Sequence, residues 1–164
     1  MKKLFLLVLA AGITTALYSQ QQYDMSYSQF REFIKEEMSE AEFRSVDEYF
    51  EGKVDGLICT YEYGDFSGDE MDELVVLTSE DSFEQSSRIN VYVFSGKENG
   101  RFEFVDKISY PYWKTRYEVA ILIKRGVLFV TNTDRDYAKW AWNIFRIKDE
   151  KLDLVKKEIY EDTP

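Results

Sequence analysis

Histidine is absent from the 164 residues, and cysteine occurs once, at Cys59. Without histidine, the chain cannot form His-based catalytic triads, Cys-His dyads or histidine zinc sites. A single cysteine cannot form an internal disulfide, so the fold must rest on a packed core. Cys59 lies in an apolar run and is expected to be a buried strand residue. Only carboxylate catalysis stays open, and no pair of carboxylates stands out, so we expect a non-catalytic protein, with a carboxylate-dependent hydrolase as the alternative.

The chain also lacks an apolar run long enough to cross a bilayer as a helix, which takes about 20 residues. The longest run, Leu4 to Leu17, follows Lys2 and Lys3 and leads into Ser19 and three glutamines. A short basic start before a short apolar run is typical of a cleavable secretory signal peptide. We therefore expect residues 1–19 to be a signal peptide and the mature protein to be secreted or periplasmic, without membrane insertion.

Basic residues are scarce, with 21 lysines and arginines against 31 acidic residues. The formal net charge of −10 becomes −12 when Lys2 and Lys3 leave with the signal peptide. Nucleic acid and anionic membranes are poor partners for such a surface. A cationic protein, a divalent cation or a neutral glycan would be compatible with it.

Residues 20–56 have helical spacing and two helix starts. Ser26 with Gln29, and Ser39 with Glu42, match the capping box, in which the two side chains satisfy free backbone donors at a helix start. The apolar residues before and after Ser39 would fall on opposite faces of one continuous helix. We therefore expect two short amphipathic helices, the second ending at Gly52.

Residues 57–164 read as a β domain, because short runs of β-branched and aromatic residues alternate with turns. The eight predicted strands are Leu57–Tyr63, Glu73–Thr78, Arg88–Phe94, Arg101–Tyr110, Tyr117–Lys124, Val127–Thr131, Trp140–Lys148 and Leu152–Tyr160. Tight hairpins are predicted at Asn99-Gly100, at Arg125-Gly126 and between Lys148 and Lys151.

The two halves of this region resemble each other at a spacing of 50 to 53 residues. The segment that begins at Val75 aligns with the one that begins at Leu128, and Val105 aligns with Val155. Four strands in about 50 residues is the size of a propeller blade. We therefore predict a mainly β fold with N-terminal helices, whose eight antiparallel strands form two four-stranded, blade-like repeats, 57–110 and 117–160. An eight-stranded barrel is the alternative, because closure would remove the exposed edges.

The segment from Asp65 to Glu73 holds the most specific chemical signal. Oxygen-bearing side chains recur at Asp65, Ser67 and Asp69, Glu73 follows, and the chain then enters an apolar strand. Calcium takes 6 to 8 oxygen ligands, which alternate residues of a tight loop can supply together with a carbonyl. The alternative is an acidic turn whose side chains bond only the loop's own amides.

The stretch from Asp65 to Leu77 resembles the calcium loop of FG-GAP and VCBS-type repeats, the blades of integrin-like propellers. The resemblance implies that Asp65, Ser67, Asp69 and Glu73 are side-chain ligands and that Met71 supplies a carbonyl. The chain departs from the family pattern at Ser67, which replaces an amide or carboxylate, and at Glu70, which replaces a glycine in a left-handed turn.

Aromatic residues near turns form a second, weaker group of candidate ligand-binding residues: Tyr112, Trp113, Trp140 and Trp142. Exposed rings could stack on a sugar or contact a protein, whereas buried rings would only fill the core. Taken together, these patterns predict a secreted or periplasmic binding module, with one calcium ion and a protein partner. The alternatives are a glycan-binding protein and an acidic inhibitor of a cationic secreted enzyme such as a lysozyme.

Overall fold

The computed structural model describes residues 25–53, 56–80, 88–111, 117–134 and 139–161. Two helices precede eight strands. The helices are α1 (Tyr27–Glu37) and α2 (Glu40–Phe50). The strands are β1 (Leu57–Gly64), β2 (Glu73–Ser79), β3 (Arg88–Gly96), β4 (Phe102–Pro111), β5 (Tyr117–Ile123), β6 (Leu128–Asp134), β7 (Lys139–Lys148) and β8 (Lys151–Glu161).

Both helices begin at the predicted capping boxes. The Ser26 side chain accepts from the backbone of Gln29, and the Ser39 side chain accepts from that of Glu42. In each case the serine's own backbone amide donates to the side chain of the third helical residue. Two backbone N–H groups at each helix start are therefore satisfied. The break between the helices therefore falls where the sequence placed it.

The strands form two separate four-stranded antiparallel sheets, each joined in simple sequence order. Sheet A consists of β1 to β4 and sheet B of β5 to β8. The predicted fold class, two blade-like sheets with N-terminal helices, is confirmed. The barrel alternative is wrong, because within the described residues neither sheet closes on itself or joins the other through strand pairing.

Three layers follow from the two apolar faces of sheet A. One face packs on the helices, through a cluster that includes Phe30, Ile34 and Phe50. The other face packs on sheet B, where Val75, Leu77 and Val93 meet Ile121 and Val130 of sheet B. Sheet A is therefore the central layer, between the helices and sheet B.

The two sheets stack with their strands pointing the same way. A Cβ placed on Gly64, at the end of β1, would lie 3.4 Å from a methyl group of Ile123, at the end of β5. Lys97 in the β3–β4 hairpin likewise pairs with Glu150 in the β7–β8 hairpin. Equivalent ends of the two sheets are therefore adjacent, and the front of one sheet packs on the back of the next.

The same irregularity occurs at the equivalent place in both sheets. The register of β3 with β4 shifts between Val93 and Phe94, which leaves Val105 as the extra residue. The register of β7 with β8 shifts between Ile144 and Phe145, which leaves Val155 as the extra residue. Each extra residue forms a β-bulge, which bends its edge strand. The two bulges fall at residues that also align in the sequence.

Candidate functional site

The loop between β1 and β2 brings three carboxyl groups together. Asp65, Asp69 and Glu73 each offer one oxygen, and these oxygens lie within 4.8 Å of one another. Such spacing allows one cation to contact all three. The structure thus gathers three of the expected ligands into a cluster that could hold a metal ion.

Glu73 is the buried member of the cluster. Its Oε2 accepts hydrogen bonds from the backbone amides of Phe66 (2.7 Å) and Ser67 (3.0 Å). Its Oε1 is buried and has no hydrogen-bond partner among the described residues, and the residue as a whole is 0% exposed. Burial raises the pKa of Glu73 above its ordinary value, because the interior disfavours the charged form. One oxygen therefore closes the loop, and the other takes no part in the loop's hydrogen bonds.

Asp65 organises the exposed part of the loop. Its Oδ1 accepts from the amide of Gly68 (2.7 Å), and its Oδ2 accepts from the amide of Glu70 (3.2 Å). The Ser67 hydroxyl also donates to Asp65 Oδ1, at 3.4 Å. These bonds leave room for further contacts, because a carboxylate has about four acceptor positions.

Asp69 completes the cluster from the solvent side. Its Oδ1 accepts from the amide of Met71 at 3.0 Å, and its own amide donates to the Ser67 hydroxyl at 3.3 Å. Ser67 and Met71, the other two expected ligands, thus lie in the same loop and bond to its carboxylates. The loop's carboxylates therefore bond its own amides, and three of them also lie close enough together to share one cation.

The loop backbone adopts the left-handed turn expected from the resemblance. Glu70 has φ of +69°, in the region that glycine occupies at no steric cost. A side chain there costs roughly 1 to 2 kcal/mol. The loop also approaches Gly96 closely, since a Cβ on that residue would lie 2.5 Å from the carbonyl oxygen of Asp72. A glycine at position 96 is therefore part of what lets the loop fold against β3.

The sequence missed two features that support the site. Phe66 is 0% exposed and packs in the core between the sheets, which anchors the loop from inside. The burial of Phe66 could have been predicted from the sequence, because it is an apolar residue in the middle of an acidic loop. Glu73 shares the alternation of Val75 and Leu77, which face sheet B, so strand parity could have predicted its burial.

Negative charge is concentrated in the part of the sequence that contains this loop. The segment between Lys53 and Arg88 contains ten acidic residues and no lysine or arginine. Like charges that are held close together repel one another, and a bound cation relieves this repulsion. The site therefore has an electrostatic reason to attract divalent cations.

Two of the four aromatic candidates, Trp140 and Trp142, lie on β7 of sheet B. Trp142 is 7% exposed and Trp140 is half-buried. Both pack with neighbours on the face of sheet B that points away from sheet A, where Trp140 stacks on Tyr160 and Trp142 contacts Phe129 edge to face. The ring faces of Trp140 and Tyr160 are turned toward each other. Tyr112 and Trp113 lie outside the described residues.

Comparison of the chain with protein-family models, curated proteins and solved structures finds no significant match. Among the described residues, no helix is long and apolar enough to span a membrane.

Proposed function

We propose that this chain is a secreted or periplasmic, non-catalytic binding module that holds one calcium ion in the Asp65–Glu73 loop. The observation that carries the proposal is the unpartnered Oε1 of Glu73. A buried carboxylate oxygen without a partner costs free energy, since its interaction with water is lost and not replaced. A cation between Glu73, Asp65 and Asp69 would supply that interaction.

Calcium suits the loop better than magnesium. Calcium accepts 6 to 8 oxygens in flexible geometry, whereas magnesium requires a near-ideal octahedron and keeps several waters. The loop offers three carboxylates in a backbone fixed by its own hydrogen bonds, and the resemblance to the calcium loop adds the Ser67 hydroxyl and the Met71 carbonyl as ligands. Soft-metal chemistry is not supported here, because the ligand atoms are all oxygen.

Calcium would act as a brace rather than as a catalyst. The loop joins β1 to β2 and is anchored in the core by Phe66, so an ion there would tie the start of sheet A together. The proposed role is to hold a rigid, calcium-dependent scaffold for partner binding.

A cationic protein is the partner class that the charge distribution supports. Residues 20–116 contain 22 acidic and 10 basic residues, whereas residues 117–161 contain 8 acidic and 9 basic ones. The helices and sheet A therefore carry the net charge, and a basic partner would be steered to that half. An acidic inhibitor of a cationic enzyme is one form of this proposal. Binding that is unaffected by 0.5 M NaCl would contradict it, because salt screens such attraction.

Thermal unfolding with and without calcium tests the site. At a calcium concentration 100 times the dissociation constant, the ion should stabilise the folded state by about 2.7 kcal/mol. For a domain of this size, that corresponds to an increase in Tm of roughly 8 °C over the value in EDTA. Calorimetric titration on the same protein would give the stoichiometry, which we expect to be one ion per chain.

Two substitutions in the same loop distinguish calcium binding at the cluster from a general effect of the loop's negative charge. Asp69→Asn removes a cluster carboxylate and should abolish the calcium response. Asp72→Asn removes an equal charge from outside the three-carboxylate cluster and should leave most of the response intact. Equal responses in the two variants, or no response in the natural chain, would reject the calcium site.

A further inference from the structure

The β3–β4 hairpin carries a reactive pair of residues, Asn99 and Gly100. The chain has four asparagines, and Asn99 is the one that glycine follows. The other three are followed by Val91, Thr133 and Ile144, whose branched side chains crowd the backbone nitrogen beside them. At the hairpin tip, Asn99 and Gly100 are both exposed to solvent. The pair therefore combines an accessible side-chain amide with an uncrowded backbone nitrogen.

A tight turn from Lys97 to Arg101 holds this pair in place. The amide of Gly100 donates to the carbonyl of Lys97 at 2.8 Å, and the amide of Lys97 donates to the carbonyl of Arg101 at 2.9 Å. Gly100 has φ of +71°, a left-handed conformation that glycine adopts without strain. Of these two hydrogen bonds, the first involves the Gly100 nitrogen.

The side chain of Asn99 folds back over the peptide that follows it. Its Oδ1 accepts from the amide of Arg101 at 3.0 Å, two residues farther along the chain. This contact holds the side-chain carbonyl beside the Gly100 backbone. A donor on Oδ1 also makes the carbon Cγ more electrophilic, because it stabilises negative charge that develops on the oxygen during an attack.

We propose that Asn99 is a site of spontaneous deamidation, with water as the co-reactant. The Gly100 nitrogen loses its proton to hydroxide and bonds to Cγ of Asn99, while the side-chain nitrogen takes a proton from water and leaves as ammonia. The five-membered succinimide ring that results takes up one water molecule and opens at either of its carbonyls. One amide and one water thus become one carboxylic acid and one ammonia, without oxidation or reduction. The products are aspartate and its β-linked isomer, isoaspartate.

The turn slows this reaction but does not prevent it. The Gly100 amide must release the Lys97 carbonyl before its nitrogen can turn toward Cγ, and this bond lies at an exposed hairpin tip, where local opening is easiest. Breaking one hydrogen bond should make the folded chain react about tenfold more slowly than a flexible peptide, since a factor of ten corresponds to about 1.4 kcal/mol. Asn90 and Asn143 are buried in strands, so we expect no conversion there.

The β-linked product would disturb the contacts that flank the turn. It adds one carbon to the main chain between residues 99 and 100, so the two turn hydrogen bonds cannot both keep their geometry. Lys97 pairs with Glu150 of sheet B at 3.3 Å, and Arg101 pairs with Glu48 of α2 at 2.7 Å. The turn therefore connects all three layers. Loss of its two hydrogen bonds should lower Tm by about 5 °C.

Peptide mapping of the folded full chain tests the proposal. Trypsin cleaves after Lys97 and Arg101, so the modified residue falls in the fragment 98–101, whose mass and retention distinguish asparagine, aspartate and isoaspartate. The folded chain is incubated beside a synthetic peptide of residues 94–104. After about ten half-lives of the peptide, about half of the folded chain should be converted at residue 99, in line with the tenfold slower rate. Conversion should be faster at pH 8 than at pH 7, because hydroxide removes the Gly100 proton.

Two variants at this exposed position serve as controls. Asn99→Gln would have to close a less favourable six-membered ring, so its fragment and its Tm should stay unchanged during the incubation. Asn99→Asp has the same side chain as the α-linked product and should keep the Tm of the natural chain. The incubated natural chain, which also contains isoaspartate, should include a fraction that melts about 5 °C lower.

A folded chain that stays unmodified at residue 99 after this incubation overturns the proposal. Equal conversion at Asn90 and Asn143 also overturns it, because the reaction then follows global unfolding and not the turn. An incubated chain that contains isoaspartate but melts like Asn99→Asp would reject the expected disturbance of the turn.

Discussion

At the residue scale, the two carboxylate oxygens of Glu73 differ in their hydrogen bonding. Its Oε2 is needed by the loop, because it accepts the amides of Phe66 and Ser67. Its Oε1 is buried, and no described residue bonds to it. In the absence of a cation, the folded state holds a proton on Glu73 more tightly than the unfolded chain does, since burial raises the pKa. The contribution of this group to stability therefore falls as pH rises through the raised pKa.

Glu73→Gln should therefore stabilise the folded chain in EDTA and destabilise it in saturating calcium. In EDTA at pH 7, glutamine avoids the buried charge and can donate from its amide to Asp65 or Asp69, so the variant should be more stable than the natural chain by about 1 kcal/mol. In saturating calcium it should be less stable, because a ligand is lost. Urea unfolding in both conditions measures this. A variant that is less stable in both would show that the carboxylate has a purely structural role.

Glu70 gives a second prediction at this scale. Because its φ of +69° is strained for a residue with a Cβ, Glu70→Gly should stabilise the chain. Relief of roughly 1 to 2 kcal/mol is partly offset by the greater freedom of glycine in the unfolded state, which leaves a gain of about 0.5 to 1 kcal/mol. Glu70→Gln is the control, since it removes the charge and keeps the strain. A larger gain from glutamine would assign the effect to charge.

The residue types in the loop could be predicted from the sequence, but their environment could not. Spacing identified Asp65, Asp69 and Glu73, and the resemblance identified the left-handed position of Glu70. Strand alternation places Glu73 on the same face as Val75 and Leu77, but which carboxylate oxygen lacks a partner depends on how the loop folds and how sheet B packs over β2, and local patterns do not contain these contacts. Its unpartnered oxygen could therefore be found only in the folded chain.

At the scale of elements, a polar contact joins the two helices. Asp47 on α2 accepts from Arg31 Nε (2.7 Å) and Arg31 Nη2 (2.8 Å), and also from the Tyr27 hydroxyl (2.7 Å). The hydrogen bond from Arg31 lowers the pKa of Asp47, with the Tyr27 bond acting in the same direction against the effect of burial. A two-pronged arginine contact fixes the angle between helices as well as their distance.

Asp47→Asn should destabilise the chain by about 1 to 2 kcal/mol at pH 7, because asparagine cannot accept both arginine bonds as an anion. The lowered pKa means that this stability is present above the ordinary value of 3.8 and is lost as pH falls through the folded value. The difference between variant and natural chain should therefore shrink below pH 4. Unfolding curves at pH 7, 5 and 3 measure it, and a difference that is constant with pH would contradict an ionic origin.

The elements themselves were predictable because their signals are local. Capping boxes at Ser26 and Ser39, turns such as Arg125-Gly126, and alternation within each strand depend on neighbours in sequence. Strand ends differ from prediction by a few residues, as at β6, which continues from Thr131 to Asp134. Pairing with β5 and β7 extends the strand there, and pairing is not a local property.

At the scale of the whole molecule, charge is separated between two halves. The net charge lies in the helices and sheet A, and sheet B is nearly neutral. Concentrated charge of one sign destabilises a compact state through repulsion. Dissolved ions largely screen this repulsion between charges that are farther apart than the Debye length, which is about 8 Å at physiological ionic strength.

In EDTA, raising NaCl from 0.05 to 0.5 M should therefore raise Tm by about 3 to 5 °C, or roughly 1 kcal/mol. Choline chloride at the same ionic strength should have the same effect, because screening does not depend on the identity of the cation. A response to sodium alone would indicate specific binding rather than screening. Differential scanning calorimetry separates the two.

The front-to-back stacking of the sheets gives the molecule a direction of growth. The helices close the free face of sheet A, so a further four-stranded unit of the same kind cannot be added there. The opposite end is different, because the outer face of sheet B is the counterpart of the sheet A face that is already buried. For protein engineering, the chain can therefore be extended at one end only. A designed four-stranded unit added after Glu161 could pack on the outer face of sheet B, against Phe129 and Trp142.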